Sequence, residues 1–177
     1  MPLSHATRVT IVERVIVREG GTSDHDDDRG GLTRYGLTRP FLEDVTARTW
    51  SDDEIHVIDR SAAVSLYVLW LSLRRLDQLP DHLGVADAVI DYAVHSGARS
   101  AIKATQLAIG IRVDGIAGPE TQGAWGLVES DPVQCEALRW AVMADRLRRL
   151  GRILGSDPSQ RVFARGWLNR MADLVVL

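Results

Sequence analysis

Residues 19–38 read EGGTSDHDDDRGGLTRYGLT, and this segment constrains the fold more than any other part of the chain. Five of its twenty residues are glycines, and most of the others are polar or acidic. Glycine loses much conformational freedom when it is ordered, and acidic side chains resist burial, so the segment is poorly suited to a helix or a core. We therefore expect residues 20–38 to form a loop that wraps a ligand and holds Glu19 over it.

The segment before this loop is predicted to be a helix that ends at Glu19. Val9, Val12, Val15 and Ile16 recur at helical spacing, and Glu19 extends the same face by one turn. The β-branched residues of VTIVERVIV would also suit a strand. If the helix forms, the carboxyl group of Glu19 lies at the inner edge of an apolar stripe, half in a core and half in a cleft. Such an environment is typical of a general acid.

Most of the remaining chain also shows helical signals, so the sequence predicts an all-α protein, a compact bundle of about seven to eight helices. Ser51 followed by three acidic residues is an N-cap signal, and the apolar stretch that continues to Leu73 is expected to be the central buried helix. Further helices are predicted at about 81–95, 98–109, from Pro119 onward, 132–154 and 158–174. No repeat or linker interrupts this pattern, so the two halves are expected to pack as one globular unit.

Charge and cysteine content exclude some classes of function. The net charge of −3 and the isoelectric point near 5.9 argue against a nucleic-acid-binding protein that relies on phosphate attraction. From Arg139 onward the chain carries eight arginines and three aspartates, mostly expected to be solvated, with docking on an anionic wall or membrane as the alternative. The single cysteine, Cys135, lies in a helical pattern and is expected to be a buried, inert thiol.

The acidic loop and the histidines do not show the spacing of a metal site. Asp24, Asp26 and Asp28 alternate as at the start of an EF-hand, but Arg29 and Tyr35 occupy the positions that need a glycine and a bidentate acid. No paired spacing typical of a zinc peptidase links the five histidines, which are His5, His25, His56, His82 and His95. We therefore expect neither a metal nor a cofactor, with structural calcium in the loop as the less favoured alternative.

The spacing within the loop resembles the opening motif of glycoside hydrolase family 108, the bacterial and phage N-acetylmuramidases. Glu19 and two glycines are followed after eight residues by Asp28, after four more by Thr33, and then by Tyr35-Gly36-Leu37-Thr38. The resemblance implies a lysozyme-like helical fold in which Glu19 is the general acid, Asp28 acts electrostatically or as base, and Thr33 positions water. Glycosidic bond hydrolysis requires such an acid and a second group. The family often has an aromatic residue where this chain has Thr22.

A second group of residues resembles later parts of the same family. The segment DYAVHSG, residues 91–97, is similar to its helix-ending segment, with His95 where asparagine is usual. The resemblance implies that Asp91, Tyr92 and His95, together with Tyr35, contact the substrate. A pattern similar to that of peptidoglycan-binding helical modules follows, and we interpret it mainly as a structural turn before a helix. It consists of Gln106, Gly110, Asp114, Gly115, Gly118 and Thr121, and Gly166-Trp167 with Arg170 resembles the closing segment.

These features together indicate a peptidoglycan hydrolase with a catalytic half at residues 1–97 and a peptidoglycan-binding-like half at residues 98–177. The resemblance implies an N-acetylmuramidase that cleaves the bond between N-acetylmuramic acid and N-acetylglucosamine without a cofactor. We expect glycan strands of bacterial peptidoglycan as the partner, no nucleic acid, and a monomer. A non-catalytic wall-binding or secretion-accessory protein of the same fold is the alternative, and a cell-wall peptidase is a less favoured one.

The start of the chain bears on where the protein acts. MPLSHATRVTIVERVIV lacks the basic and continuously apolar regions of a signal peptide. The most apolar run, residues 62–73, is too short to span a membrane, so no stable membrane insertion is expected. We therefore expect an endolysin-type enzyme that is made in the host cytoplasm and reaches the periplasm or cell wall through a holin or another route.

Overall fold

The computed structural model describes residues 2–20 and 33–176 of the 177-residue chain. Within these residues the structure is helical apart from one short hairpin, so the all-α prediction is confirmed. The hairpin pairs β1 (Thr33–Arg34) with β2 (Leu37–Thr38) in antiparallel register, and 3-10 turns occur at Leu76–Gln78 and Pro158–Phe163. The α-helices are α1 (His5–Glu19), α2 (Arg39–Thr46), α3 (Asp52–His56), α4 (Arg60–Leu73), α5 (Leu83–Ser96), α6 (Ala98–Ala108), α7 (Pro119–Glu129), α8 (Pro132–Ser156) and α9 (Ala164–Val175).

These elements belong to two compact units. The first comprises Ser4–Asp77, and in it α1 and α2 pack against α4 while the hairpin contacts α2 and α3. The second comprises Gln78–Leu177 with Met1–Leu3, and in it α5 packs against α6, α8 and α9 while α7 packs against α8. The functional division expected after residue 97 stays a prediction.

Side-chain caps explain where the helices of the first unit begin. Ser51 and Glu54 form a reciprocal capping box at α3, which confirms the N-cap predicted there. The sequence interpretation missed α2, although Thr38 accepts a hydrogen bond from the backbone N–H of Phe41 and Pro40 occupies the first turn. An N-cap threonine followed by an early proline was a readable start signal for this helix.

The most buried helix is α5, and this corrects the expectation that the stretch ending at Leu73 is the central buried helix. Every residue of α5 from Val85 to Ala93 is buried. On α4, by contrast, Leu69 and Leu73 are 46% and 51% exposed. The stretch before Leu73 is apolar on most sides, but only the face that carries Tyr67 and Trp70 is covered by neighbouring helices.

The second unit has its own apolar core. It is built from α5, α8 and α9, whose contributions are Ala88, Met143, Leu150, Met171 and Leu174, with Trp167 packed against them. Cys135 is buried on α8 as a free thiol, which confirms its predicted burial, while its inertness stays a prediction.

Candidate active site

Glu19 is the last residue of α1, and the buried stripe of that helix determines its direction. The stripe contains Ile11, Val12, Val15 and Ile16. Because these residues fix the rotation of the helix, Glu19 lies at the edge of the core and is partly buried. Gly20 follows with a φ of 81° and ends the helix. The prediction of a helix that ends at Glu19 is confirmed, but the buried stripe contains Ile11, whereas Val9, which was expected in it, is only partly buried.

The turn of the β1–β2 hairpin packs directly on the side chain of Glu19. Tyr35 and Gly36 both have positive φ angles, 55° and 76°, as expected for a two-residue type I′ turn. A Cβ atom placed on Gly36 would lie 2.6 Å from Cγ and 2.9 Å from Oε2 of Glu19. Glycine therefore allows a close approach that a side chain would prevent, and the main chain of the turn lies against the carboxyl group.

Hydrogen bonds from Tyr67 and Arg34 hold the hairpin in this position. The hydroxyl of Tyr67 on α4 donates to the carbonyl of Tyr35 at 3.1 Å. The Nε of Arg34 donates to the carbonyl of Ile58, which precedes α4, at 2.5 Å. Tyr67 is buried beside the ring of Phe41, with 5.2 Å between ring centroids. The position of the turn against Glu19 thus depends on side chains of α2 and α4.

The structure describes only some of the other residues that were predicted to lie near Glu19. Thr33 is the first residue of β1, where it pairs with Thr38, and it is partly buried. The ring of Tyr35 lies 5.2 Å from the guanidinium of Arg34 and is partly buried. Asp28 lies outside the described residues. The catalytic and substrate-binding roles of Thr33, Tyr35 and Asp28 stay predictions.

A groove of about 720 Å³ lies elsewhere in the first unit, between α1 and α4. Its walls include Val9, Glu13, Arg60 and Val68, but not Glu19 or the hairpin. The groove and the surroundings of Glu19 are therefore separate features of this unit.

Asp91 is at the centre of a charge cluster in the second unit, where it is fully buried. Its Oδ2 accepts from Arg146 on α8 at 2.6 Å and from Arg170 on α9 at 2.9 Å, and its Oδ1 accepts from Arg170 at 2.9 Å. Burial opposes ionisation, but the hydrogen bonds and charges of the two arginines outweigh it and hold the pKa of Asp91 below its usual value. Asp91 therefore joins three helices, while its predicted contact with substrate stays a prediction.

Tyr92 and His95 surround this charge cluster. Tyr92 is buried and donates to Oδ2 of Asp145 at 3.0 Å, and burial together with this bond raises the pKa of Tyr92 to about 12. His95 is partly buried, and its ring meets that of Trp167 edge-on at 5.8 Å. Burial and the positive charge of Arg146 lower the pKa of His95 to about 4. His95 is thus a neutral imidazole at neutral pH.

We expect this environment of His95 to make stability pH-dependent. The pKa of His95 is about 4 in the folded protein and 6.5 ordinarily, so between these values the proton binds the unfolded chain preferentially. The free energy of unfolding should therefore fall by about 2–3 kcal/mol as the pH drops from above 6.5 to 4. His95→Asn should remove this component in urea titrations at a series of pH values, whereas His56→Asn, at an exposed position, should keep it. An unchanged pH dependence in His95→Asn would contradict the assignment.

Gln106 confirms the structural interpretation of the turn before α7. It is 1% exposed, and its Nε2 lies 2.9 Å from both Asp114 Oδ1 and Thr121 Oγ1 and 3.1 Å from the carbonyl of Ile116. Its Oε1 accepts from the N–H of Gly115 at 2.8 Å. One side chain thus joins several polar groups of the turn, in agreement with the structural interpretation.

Arg146 was not predicted from the sequence to have a special role, although its position is informative. It falls within the apolar stripe of α8, between Val142 and Leu150, and it is 1% exposed. A charged residue on a buried helical stripe indicates a buried ion pair, because an isolated buried charge is very unfavourable. The partner, Asp91, is 55 residues away and shows no pattern that would identify it.

Two further features can be stated for residues 2–20 and 33–176. No three His, Cys, Asp or Glu side chains lie together there as a metal site would require. No helix in the same ranges has both the length and the apolar character needed to cross a bilayer.

Comparison with known families shows which family the segment around Glu19 matches. Residues 12–97 match the family model described as glycosyl hydrolase 108. The chain carries a glycosyl hydrolase 108 domain. Glu19, the hairpin and Asp91 all lie within this domain, so the resemblance seen in the sequence is confirmed. Residues 100–172 match a second model, described as a predicted peptidoglycan domain.

A solved structure supports the same relationship. SagA of Brucella abortus is similar over 97% of this chain and 92% of that chain, with a TM-score of 0.77 and 27% sequence identity. No curated protein matches the sequence. The glycosyl hydrolase 108 domain and the peptidoglycan domain together support a peptidoglycan hydrolase of the glycosidase class.

Proposed function

We propose that this protein cleaves the glycosidic bond between N-acetylmuramic acid and N-acetylglucosamine in bacterial peptidoglycan, with Glu19 as general acid. The observation that carries the proposal is the close packing of Gly36 on the Glu19 side chain within the glycosyl hydrolase 108 domain. A hairpin that uses glycine to approach one carboxyl group fixes that group in place. Fixed geometry is what proton transfer in a transition state requires.

The chemistry assigns a role to each remaining residue of the motif. The leaving oxygen must receive a proton while positive charge develops on the sugar ring. Glu19 is partly buried, and its Oε2 lies close to Gly36, so the turn holds the carboxyl group in position. We assign stabilisation of the positive charge, or activation of water, to Asp28, and we assign the positioning of water to Thr33. Tyr35 is our candidate for stacking on a sugar ring.

Digestion of purified peptidoglycan sacculi tests the proposal. Cleavage should release new reducing ends, and borohydride reduction followed by acid hydrolysis should convert them to muramitol. Glucosaminitol would indicate cleavage of the other glycosidic bond, and new free amines would indicate a peptidase. Sacculus binding without either product would favour the alternative, a non-catalytic wall-binding or secretion-accessory protein. Since the mechanism assigns no role to a metal, the activity should survive EDTA.

Gly36→Ala should strongly reduce the release of reducing ends. The new Cβ overlaps Glu19, so the turn or the acid must move, and a displacement of about 1 Å can cost about 100-fold in rate. The positive φ should add about 1–2 kcal/mol of instability. Gly110→Ala is the matched control, because Gly110 has a φ of 72° but nothing within 4 Å of an added Cβ. Equal activity in the two variants would show that the contact with Glu19 is unimportant.

The expected cellular role goes beyond these residues. We expect an endolysin-type enzyme that works as a monomer and reaches the cell wall through a holin or another route. This cellular role stays a prediction. Expression in a bacterial host with and without a holin would test the route, because only release from the cytoplasm should then cause lysis.

A further inference from the structure

The second unit carries an exposed aromatic pair. Phe163 ends the 3-10 turn Pro158–Phe163 and is 53% exposed. Its ring stacks on that of Trp167 at 6.1 Å between centroids and an angle of 23°. Trp167 in turn packs against the core of this unit. The pair is therefore a fixed aromatic platform with an accessible ring, a surface suited to the apolar face of a sugar or another flat ligand.

The other neighbour of Trp167 is His95, at 5.8 Å and edge-on. Its Nδ1 lies 3.2 Å from the hydroxyl of Ser96, and its Nε2 has no hydrogen-bond partner among the described residues. Because the ring is neutral at neutral pH, this nitrogen is able to hydrogen-bond a polar group of a ligand on the platform.

The surroundings of His95 are positively charged. Arg146 and Arg170 share the carboxylate of Asp91. Arg149 follows Arg146 by three residues on α8, so it lies on the same face of that helix, and its positive charge acts on His95. Asp145, the acid nearest to it along α8, accepts the hydroxyl of Tyr92.

Arg149 has no counter-ion in the described part of the chain. Its Nε is buried and has no hydrogen-bond partner there, and no ion pair involves this residue. A guanidinium without an ion pair is able to receive an acidic group from a ligand. A carboxylate matches a guanidinium best, because two parallel hydrogen bonds can form.

We propose that Phe163, Trp167, His95 and Arg149 form a binding site for an amino sugar that bears a carboxylate. The aromatic pair receives the sugar face, the imidazole hydrogen-bonds a polar substituent, and the guanidinium receives the carboxylate. The inference rests on the proposed function to the extent that muramic acid in peptidoglycan supplies such a group. The carboxylate is either the lactyl group of a peptide-free muramic acid or a carboxylate of the stem peptide.

Titration of the full chain with soluble fragments tests this site. The background variant is Glu19→Gln, so that no ligand is consumed, and the readout is the indole N–H resonance of Trp167, assigned by its loss in Trp167→Phe. The ligands are the disaccharide GlcNAc-MurNAc, its tetrapeptide derivative, and chitobiose, which lacks a carboxylate. If the site binds the lactyl carboxylate, the disaccharide should bind more tightly than chitobiose. If it binds a carboxylate of the stem peptide, the tetrapeptide derivative should bind most tightly.

Substitutions separate the two parts of the site. Arg149→Gln should weaken binding of the preferred carboxylated ligand about tenfold and leave chitobiose unchanged, because it removes a charge-assisted hydrogen bond. Phe163→Ala, at an exposed position, should weaken all three ligands about threefold. Arg148→Gln is the matched control, since it removes one positive charge from the adjacent exposed residue of α8 and should change nothing.

Three outcomes would overturn the site: equal binding of chitobiose and both carboxylated ligands, an equal loss in Arg148→Gln and Arg149→Gln, or an unperturbed Trp167 resonance. These outcomes are independent of the sacculus assay. Selective titration without release of reducing ends would reject the hydrolase and keep the binding site. Release of reducing ends without a ligand-dependent change in the Trp167 resonance would support the hydrolase and reject the binding site.

Discussion

Glu19→Gln should reduce the release of reducing ends from sacculi by about 100-fold to 10,000-fold, the range expected when a general acid is removed. Glutamine keeps the shape and the polar character of the side chain but has no proton to give to the leaving oxygen. The contacts of Glu19 with Gly36 involve Cγ and Cβ as well as Oε2, so the packing of the hairpin should persist. Thermal unfolding should therefore be nearly unchanged while the rate collapses.

Glu13→Gln is the matched control for this prediction. Glu13 lies on the same helix, and its ion pair is with Arg60 on the partly exposed surface. The same change of charge there should leave the rate unaffected and cost at most about 1 kcal/mol of stability. If Glu19→Gln keeps more than about a tenth of the wild-type rate, its loss is smaller than the smallest loss expected when a general acid is removed. Glu19 would then not have this role.

Asp91→Ala should lower the free energy of unfolding by about 3–5 kcal/mol, because it leaves buried positive charge uncompensated. Arg146 and Arg170 would both lose their shared carboxylate, and Arg146 is 1% exposed. Urea unfolding at neutral pH measures the loss. Asp173→Ala, on the exposed side of α9, is the control and should stay within about 0.5 kcal/mol of wild type.

The effect of Asp91→Ala should depend on pH with a defined sign. The pKa of Asp91 is lowered in the folded state, so its contribution is fully present above the ordinary value of 3.8 and is lost as the pH falls through the folded value. The difference between wild type and Asp91→Ala should therefore shrink in acid. A loss below about 1 kcal/mol at neutral pH would show that the cluster is not a major source of stability.

Local patterns in the sequence predicted most helices, because periodicity and caps act over a few residues. The interpretation failed where burial depends on distant partners. The stretch that ends at Leu73 is more continuously apolar than α5, yet Leu69 and Leu73 are exposed while α5 buries Asp91. An aspartate in a helix argues for exposure unless its counter-ions are known. Those counter-ions, Arg146 and Arg170, lie 55 and 79 residues further along the chain.

The candidate site shows the same difference between local patterns, which the sequence reveals, and distant contacts, which it does not. Glu19 and Gly36 are seventeen positions apart in one motif, so the sequence indicated that they belong together. It did not indicate that Gly36 contacts Glu19 itself, since this depends on the anchoring of the hairpin by Tyr67 on α4. The group around Phe163 and Arg149 was not recognised, because its members come from separate elements and neither Phe163 nor Arg149 belongs to a motif.

The cluster around Asp91 also determines when the second unit is completed during synthesis. Arg170 follows Asp91 by 79 residues, so at 5–20 residues per second it is added roughly 4–16 s later. Throughout this interval the residues of α5 have been synthesised, but Asp91 lacks Arg170, one of the cations that make its burial favourable. The helix that is most buried in the finished protein is thus among the last to reach its final environment, and a ribosome that pauses before residue 170 holds this unit open.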